Sequence, residues 1–144
     1  MDDARSRYLA DAIATASPAR LLTMLYDRLI LDLSRAEREL LDGDRGAAAP
    51  FVGHAQEIVG ELIGMLDVSA WDGAEALLSV YGFVLRELFA AGASGDVTRV
   101  ASCRALLEPL CLAWHEAADE TGRAAIPTPR EPAEPVGSGL LGVA

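Results

Sequence analysis

The dipeptide Ser17-Pro18 is the feature that most constrains how this chain folds, because it marks the start of a long apolar helix. A serine hydroxyl can accept an unpaired N–H at a helix start, and proline at the first helical position lacks the N–H that would go unpaired. Apolar residues then recur at a spacing of three and four, which predicts a helix over residues 18–41. Its apolar seam consists of Leu22, Leu25, Leu29, Leu33, Ala36 and Leu40.

This first helix has no broad polar face between Leu21 and Leu33. Such a pattern is typical of a helix that is buried on nearly all sides. Two interpretations follow: a central core helix, or a helix that also carries a binding surface. The run Asp42-Gly43-Asp44 predicts the end of the helix, with glycine supplying the C-terminal turn.

Three further helices are predicted from the same kind of spacing. The second has an irregular or kinked start at Pro50 and ends near Asp67, because proline clashes with a preceding helical turn. The third covers roughly residues 73–91, with Asp72 as its cap. Short connections of roughly four to eight residues favour antiparallel neighbours, so the sequence predicts an all-α fold, an antiparallel up-down-up-down four-helix bundle.

The fourth helix and the chain ends complete the domain organisation. Asp96 is expected to cap the fourth helix, and Pro109 is expected to kink or split it. Residues 16–121 are predicted to form the bundle. Residues 1–15 form a short N-terminal segment that mixes charges with a few apolar side chains. Residues 122–144 hold four of the seven prolines and are predicted to be a disordered tail.

Composition excludes some classes of partner. The chain has 22 acidic residues against 12 arginines and no lysine, whereas a nucleic-acid surface needs clustered positive charge. We find no signal peptide and no unbroken apolar run of about 18 residues, so we expect a cytoplasmic protein that does not insert into a membrane. Cys103 and Cys111 are separated by roughly 12 Å of helical rise, too far for a disulfide. They are interpreted as buried small hydrophobes.

No catalytic, metal or cofactor site is predicted. A di-iron bundle needs Glu-x-x-His pairs, but Phe51 and Leu112 stand three residues before His54 and His115. Both histidines are interpreted as helix-surface residues. A histidine phosphotransfer bundle using His54 is the alternative hypothesis, although such sites normally also have a lysine. Nucleophile elbows and phosphate loops do not occur in the sequence, so we expect no enzymatic activity.

The apolar stripes of the first three helices are wider than the roughly 100° that one core contact requires. The excess indicates a partner surface, or simply an apolar core, and periodicity does not separate client binding from weak self-association. Gly53, Gly60 and Gly64 each cost roughly 1 kcal/mol relative to alanine within a helix. They reflect neutral drift, or they let a partner helix lie close.

Several motifs, in order and at fixed spacing, resemble the FliS family of flagellin export chaperones over roughly residues 8–118. Each motif alone is weak, and the set together is specific. The motifs are Thr15-Ala16-Ser17-Pro18, Leu25-Tyr26-Asp27, Gly43-Asp44, Ala55-Gln56-Glu57-Ile58, Glu61-Leu62, Leu66-Asp67 and Asp96-Val97, with Tyr8, Ile13, Leu78, Tyr81, Arg86, Leu88 and Trp114 at single positions. Departures from the family pattern are Arg20, Arg28 and His54.

The resemblance implies a chaperone that binds the C-terminal segment of flagellin in the cytoplasm. Binding would cover the apolar faces of that segment, prevent premature polymerisation and keep flagellin competent for the flagellar export machinery. The resemblance also implies that the first helix is mainly core, and that Tyr8 and Ile13 belong to an N-terminal lid over the client groove. The stripes and the resemblance together predict a groove formed by Ala55, Ile58, Val59, Leu62, Leu66, Tyr81 and Leu85.

Overall fold

The computed structural model describes Ala4 and residues 17–125 of the chain. Over residues 17–125 it contains four α-helices and no strand, which confirms the predicted all-α bundle. The helices are α1 (Pro18–Leu41), α2 (Arg45–Met65), α3 (Ala74–Ser94) and α4 (Val97–Ala125). The predicted lid residues Tyr8 and Ile13 lie outside the described residues, and so does the tail after Ala125.

Both ends of α1 form as predicted. Ser17 Oγ accepts the backbone N–H of Arg20 at 3.2 Å, and Pro18 occupies the first helical position. At the other end Asp42 is the C-cap, and Gly43 adopts a φ of 78°. Glycine favours that left-handed conformation because it has no Cβ.

The start of α2 differs from the prediction. The helix begins at Arg45, because Asp44 Oδ1 caps it by accepting the N–H of Ala47 at 2.9 Å, and Pro50 lies inside it. Proline at the sixth helical position removes one backbone bond, to the carbonyl of Gly46. Gly46 and Pro50 are both exposed, so water can hydrogen-bond to that carbonyl and the helix continues.

The start of α3 also corrects the prediction. Its N-cap is Gly73, which makes no side-chain cap hydrogen bond, so Asp72 does not cap the helix. The helix continues three residues beyond the predicted Ala91 and ends at Ser94, followed by Gly95 at a φ of 75°.

The cap of α4 is as predicted, and Pro109 does not divide the helix in two. Asp96 Oδ1 accepts the N–H of Thr98 at 3.0 Å. Pro109 lies inside a single 29-residue helix, so the predicted split does not occur. Pro109 and Ala105 are both exposed, and water can bond to the carbonyl that proline leaves unpaired. The helix passes residue 121, where the bundle was predicted to end, and reaches Ala125.

The helices pack in a ring in which each contacts its two neighbours, α1 with α2 and α4, and α3 with α2 and α4. Side-chain pairs show that α1 and α4 are antiparallel. Asp27 near the start of α1 meets His115, whereas Glu37 further along α1 meets the earlier α4 residue Arg104. Four helices joined in sequence around this ring give the up-down-up-down arrangement.

The core is continuous along the bundle and is mostly aliphatic. Tyr26 of α1 and Tyr81 of α3 meet across its centre, with their hydroxyl oxygens 2.6 Å apart. The other large side chains that are fully or nearly fully buried include Leu29, Leu33, Leu62, Leu88 and Leu107. One charged residue is also buried, Asp32 of α1, where the sequence pattern had indicated an apolar helix.

The interpretation of α1 as mainly a core helix agrees with its packing. Leu29, Leu33 and Ala36 of the predicted seam are fully buried. Leu22, Leu25 and Leu40 are half-buried against the same core. The helix is not buried on every side, because Leu31 is 41% exposed.

By length and composition, α3 is apolar enough to cross a membrane, with a mean hydropathy of 1.4 over its best window, and no other described helix is. Leu77, Tyr81, Val84 and Leu88 of this helix lie in the bundle core. Core packing therefore accounts for part of its apolar character. Three of its large apolar side chains, Leu78, Phe83 and Phe89, are nevertheless exposed.

The two ends of the bundle are built differently. At the end we call the closed end, connections of three residues (42–44) and two residues (95–96) join α1 to α2 and α3 to α4. Arg45 Nη2 also donates to the carbonyl of Ala93 there, at 2.6 Å. The opposite end, which we call the open end, has the longer α2–α3 connection of residues 66–73 and the start of α1.

Candidate functional site

An apolar groove lies at the open end, where all four helices contribute to its walls. We call it the open-end groove, and its volume is about 380 Å³. Its lining is almost entirely apolar. The lining residues are Pro18, Ala19, Leu22, Leu62, Met65, Leu66, Asp67, Ala70, Trp71, Leu77, Tyr81 and Trp114.

The α2–α3 connection forms one rim of this groove. Asp67 Oδ1 accepts both the N–H of Ser69 at 3.0 Å and its hydroxyl at 2.7 Å, which orders the first turn of the connection. These two hydrogen bonds, the hydroxyl first, lower the pKa of Asp67. Further along, Trp71 folds over Gly73 so closely that a Cβ there would lie 2.0 Å from the indole ring. The absence of a side chain at residue 73 therefore lets Trp71 reach the groove.

Tyr81 and Trp114 contribute their rings to the groove lining, and their polar atoms are buried. Burial raises the pKa of both Tyr81 and its partner Tyr26, so the two hydroxyls stay neutral at physiological pH. Trp114 packs edge-on against Tyr26, with ring centroids 6.2 Å apart. Its buried indole N–H has no hydrogen-bond partner of normal geometry among the described residues. Because that N–H is buried, a ligand in the groove would contact the Trp114 ring rather than its N–H.

Two further grooves extend the apolar surface. The α3–α4 groove, about 240 Å³, shares Trp71, Leu77 and Trp114 with the open-end groove. The α1–α2 groove, about 300 Å³, runs between Leu25 and Ile58. Acidic residues and one arginine accompany its apolar wall, which consists of Leu21, Met24, Leu25 and Ile58 beside Arg28, His54, Glu57 and Glu61.

The seven predicted groove residues do not line one common surface. Three of them, Leu62, Leu66 and Tyr81, line the open-end groove. Ile58 lines the α1–α2 groove. Most of the seven are core in this structure: Ala55, Ile58, Val59, Leu62 and Tyr81 are each at most 5% exposed, and Leu66 and Leu85 are half-buried. Met65 and Trp71 also line the open-end groove, and the sequence did not predict them as groove residues. They are 44% and 50% exposed.

His54, the residue of the phosphotransfer alternative, is held by a carboxylate. Its Nδ1 contacts Oδ2 of the buried Asp32, and its side chain is 42% exposed. Arg28 lies 3.4 Å from the other oxygen of Asp32. Glu57 and Glu61 line the same groove. Asp32 occupies Nδ1 of the imidazole, and the groove holds two further carboxylates against one arginine, so no observation on the described residues favours a phosphoryl group there.

Another polar cluster lies between α1 and α4, and sequence reasoning did not find it. His115 Nε2 is 2.7 Å from Asp27 Oδ1, and the thiol of Cys111 donates to the same oxygen at 3.4 Å. Burial, together with the hydrogen bond to Asp27, raises the pKa of Cys111 to about 11. Burial also raises the pKa of Cys103 to about 12. Both cysteines are free; Cys103 is buried as predicted, and Cys111 is only half-buried.

The fold is found in a solved structure. A protein described as a flagellar chaperone from bacteria aligns with 82% of this chain and 97% of its own, with a TM-score of 0.66 and 18% identity. At that identity the likeness establishes the fold alone.

Sequence comparison then establishes the family. The family described as "Flagellar protein FliS" matches residues 1–121. The chain therefore belongs to the FliS family of flagellar chaperones. It is also 27% identical over 107 residues to the flagellar secretion chaperone FliS of Escherichia coli (strain K12). That alignment covers 73% of this chain and 79% of the E. coli protein. FliS is a family of chaperones and not a class of enzymes.

Proposed function

We propose that this chain binds the C-terminal segment of flagellin in the cytoplasm, prevents its premature polymerisation and keeps it competent for the flagellar export machinery. The observation that supports this most directly is the apolar groove at the open end of a bundle whose family is a flagellar chaperone family. The role requires no cofactor and no catalytic group.

The shape and chemistry of the open-end groove suit an amphipathic helix. Recognition of this kind uses apolar anchors at helical spacing that enter a hydrophobic groove. Met65, Leu66 and Trp71 offer apolar walls, and the rings of Tyr81 and Trp114 complete the lining. A client helix would bury its apolar face there, and that is the face it would otherwise use to assemble with other subunits.

The continuity of the grooves supports a client that contacts more than one side of the bundle. Trp71, Leu77 and Trp114 belong to both the open-end groove and the α3–α4 groove. An extended segment with several short helices could therefore occupy both grooves in succession. A disordered client that folds on binding can cover a large surface in this way.

The predicted groove residues keep unequal roles in this proposal. Leu66 would contact the client directly, and the nearly buried Leu62 and Tyr81 would form the floor of the open-end groove beneath it. Ile58 would contact a client in the α1–α2 groove. Ala55, Val59 and Leu85 line none of the grooves described above, and their contact with flagellin stays a prediction.

We further propose that residues 1–15 act as a lid on this groove. Pro18, Ala19 and Leu22 at the start of α1 line the groove, so the segment before Ser17 joins the bundle at its edge. Ile13 stands four residues before Ser17, within roughly 14 Å of it along an extended chain. Tyr8 and Ile13 are the apolar residues predicted to enter the groove. Deletion of residues 1–14 should raise the affinity for flagellin or leave it similar while the bundle stays folded.

Calorimetry with the C-terminal segment of the cognate flagellin tests the proposal. The full chain should bind one segment at micromolar concentration or below. Met65→Glu, which places a charge on an exposed groove wall, should weaken binding at least roughly tenfold, because an unpaired charge in an apolar interface is costly. Leu41→Glu is the matched control, since Leu41 is 73% exposed and lies at the closed end.

Equal losses in both variants would place the client elsewhere on the bundle, and no binding by the unmodified chain would refute the function. Sedimentation of the free chain in the same buffer measures self-association. A dimer that Met65→Glu dissociates would mean that the groove pairs two copies of the chain instead.

A further inference from the structure

The cluster of Asp27, Cys111 and His115 joins three different metal-binding side chains on two helices. Cys111 and His115 are four residues apart on α4 and therefore share one face of the helix. Asp27 approaches them from α1. One ligand atom from each, a thiol sulfur, an imidazole nitrogen and a carboxylate oxygen, lies within 4.8 Å of the other two.

We infer that these three side chains form a binding site for Zn²⁺ that bridges α1 and α4. Thiolate and imidazole are ligands that zinc prefers over calcium or magnesium, and carboxylate completes a set found in zinc proteins. Three protein ligands leave the fourth tetrahedral position to water or to a group from a partner.

Two of the distances between the ligand atoms are close to those found around a bound zinc ion. Around tetrahedral zinc the sulfur and the carboxylate oxygen stand roughly 3.6 Å apart, and the imidazole nitrogen and that oxygen roughly 3.3 Å apart. Here the two separations are 3.4 Å and 2.7 Å. The imidazole must move outward by roughly 0.6 Å, and it has room because the side chains of His115 and Asp27 are 39% and 55% exposed.

Hydrogen bonds in the metal-free site already orient the ligands. Asp27 Oδ1 contacts both the Cys111 thiol and His115 Nε2, so the three ligand atoms are already held together. Zinc would replace the thiol proton and any proton shared between the imidazole and the carboxylate. Metal binding therefore releases protons and is stronger at higher pH. Because the ligands come from two helices, bound zinc would also stabilise the folded bundle.

Spectroscopy with cobalt tests the site on the full-length, reduced and metal-free chain. Co²⁺ should bind one per chain and give a thiolate-to-cobalt charge-transfer band that Zn²⁺ abolishes by displacement. Cys111→Ser should remove the band and lower the Zn²⁺ affinity at least roughly tenfold. Cys103→Ser is the matched control. The sulfur of Cys103 is buried in the core against the carbonyl of Val84 and does not belong to the cluster.

Two outcomes would overturn the inference. One is a chain that gives no thiolate band with Co²⁺ and no rise in Tm with Zn²⁺. The other is a Cys103→Ser variant that stays folded by circular dichroism and yet loses binding as Cys111→Ser does. His115→Gln keeps the test decisive if Cys111→Ser fails to fold, since it must weaken Zn²⁺ binding while circular dichroism stays unchanged.

Discussion

The closed and open ends of this bundle differ in how their turns are held and in how much apolar surface they leave uncovered. At the closed end, two side-chain caps, two left-handed glycines and the Arg45 contact to the α3 carbonyls fix the turns. The cavity left there is about 30 Å³, against about 380 Å³ at the open end. The open end has an uncapped α3 and a longer connection. Local hydrogen bonds thus fix the closed end, whereas the open end keeps an apolar groove, which we propose binds the client.

Truncating one leucine at each end gives the largest contrast. Leu88 lies in the closed half of α3 and is fully buried, so Leu88→Ala should destabilise the fold by about 2–5 kcal/mol. Leu66 is only half-buried, so Leu66→Ala should cost about 1 kcal/mol or less and mainly weaken flagellin binding. Urea unfolding and calorimetry measure the two effects, and similar stability losses would break the comparison.

Glycine substitutions should have opposite signs at the two ends. Gly95 has a φ of 75°, and a Cβ there would lie 2.7 Å from Arg45 Cδ, so Gly95→Ala should destabilise by about 1–2 kcal/mol. Gly60, in the open half of α2, has no described atom within 4 Å of such a Cβ. Gly60→Ala should stabilise by up to about 1 kcal/mol.

Flagellin binding by Gly60→Ala then tests the interpretation of the α2 glycines. Nothing packs against Gly53, Gly60 or Gly64 among the described residues. If Gly60→Ala gains stability and keeps full affinity, the glycine reflects drift; if it gains stability and loses affinity, a partner helix lies close there.

Removing the acidic residue before α2 or before α3 should give a smaller difference in stability between the two ends. Asp44 caps α2 at the closed end, and Asp44→Ala should cost about 1 kcal/mol. Asp72 precedes α3 at the open end without capping it, so Asp72→Ala should change stability by less than about 0.5 kcal/mol. Thermal unfolding of both variants in one buffer makes the measurement. An equal loss from Asp72→Ala would mean that the open end is also fixed by a cap.

Acid sensitivity is the smallest effect, and it should be shared by both ends. The side-chain hydrogen bond from Thr98 lowers the pKa of Asp96 below its usual 3.8, and that from Ser69 does the same for Asp67. A carboxyl with a lowered folded pKa contributes stability above its unfolded pKa, which is lost as pH falls through the folded value. Asp96→Asn and Asp67→Asn should each flatten the acid limb of the stability profile slightly. A steeper limb in either variant would contradict the assignment.

Local signals in the sequence were sufficient for much of the fold. Ser17, Pro18 and Gly43 define both ends of α1 because capping depends on neighbours within a few residues. Pro50 was misleading, since a proline rule alone does not tell whether the carbonyl it leaves unpaired faces water. Asp72 was also misleading. The helix starts at Ala74, so Gly73 occupies the N-cap position and Asp72 lies one residue before it.

The site was harder to predict, because grooves form from surface that packing leaves over. Stripe width indicated excess apolar surface on α1, α2 and α3, yet Ala55 and Val59 became core while Met65 and Trp71 became groove wall. No stripe indicated the buried Asp32, whose partner His54 lies on another helix. The spacing of Cys111 and His115 was visible in the sequence, but Asp27 lies 84 residues before Cys111 and joins them only in the fold.

The position of Trp71, which reaches the open-end groove over Gly73, has a practical consequence. The whole chain has two tryptophans, and both Trp71 and Trp114 line the open-end groove. Trp71 is half exposed and Trp114 is partly buried, so a client that covers them would shift the indole fluorescence to shorter wavelength. The closed end contributes no indole emission. The unmodified, unlabelled chain is thus its own optical reporter for occupancy of one end of the bundle.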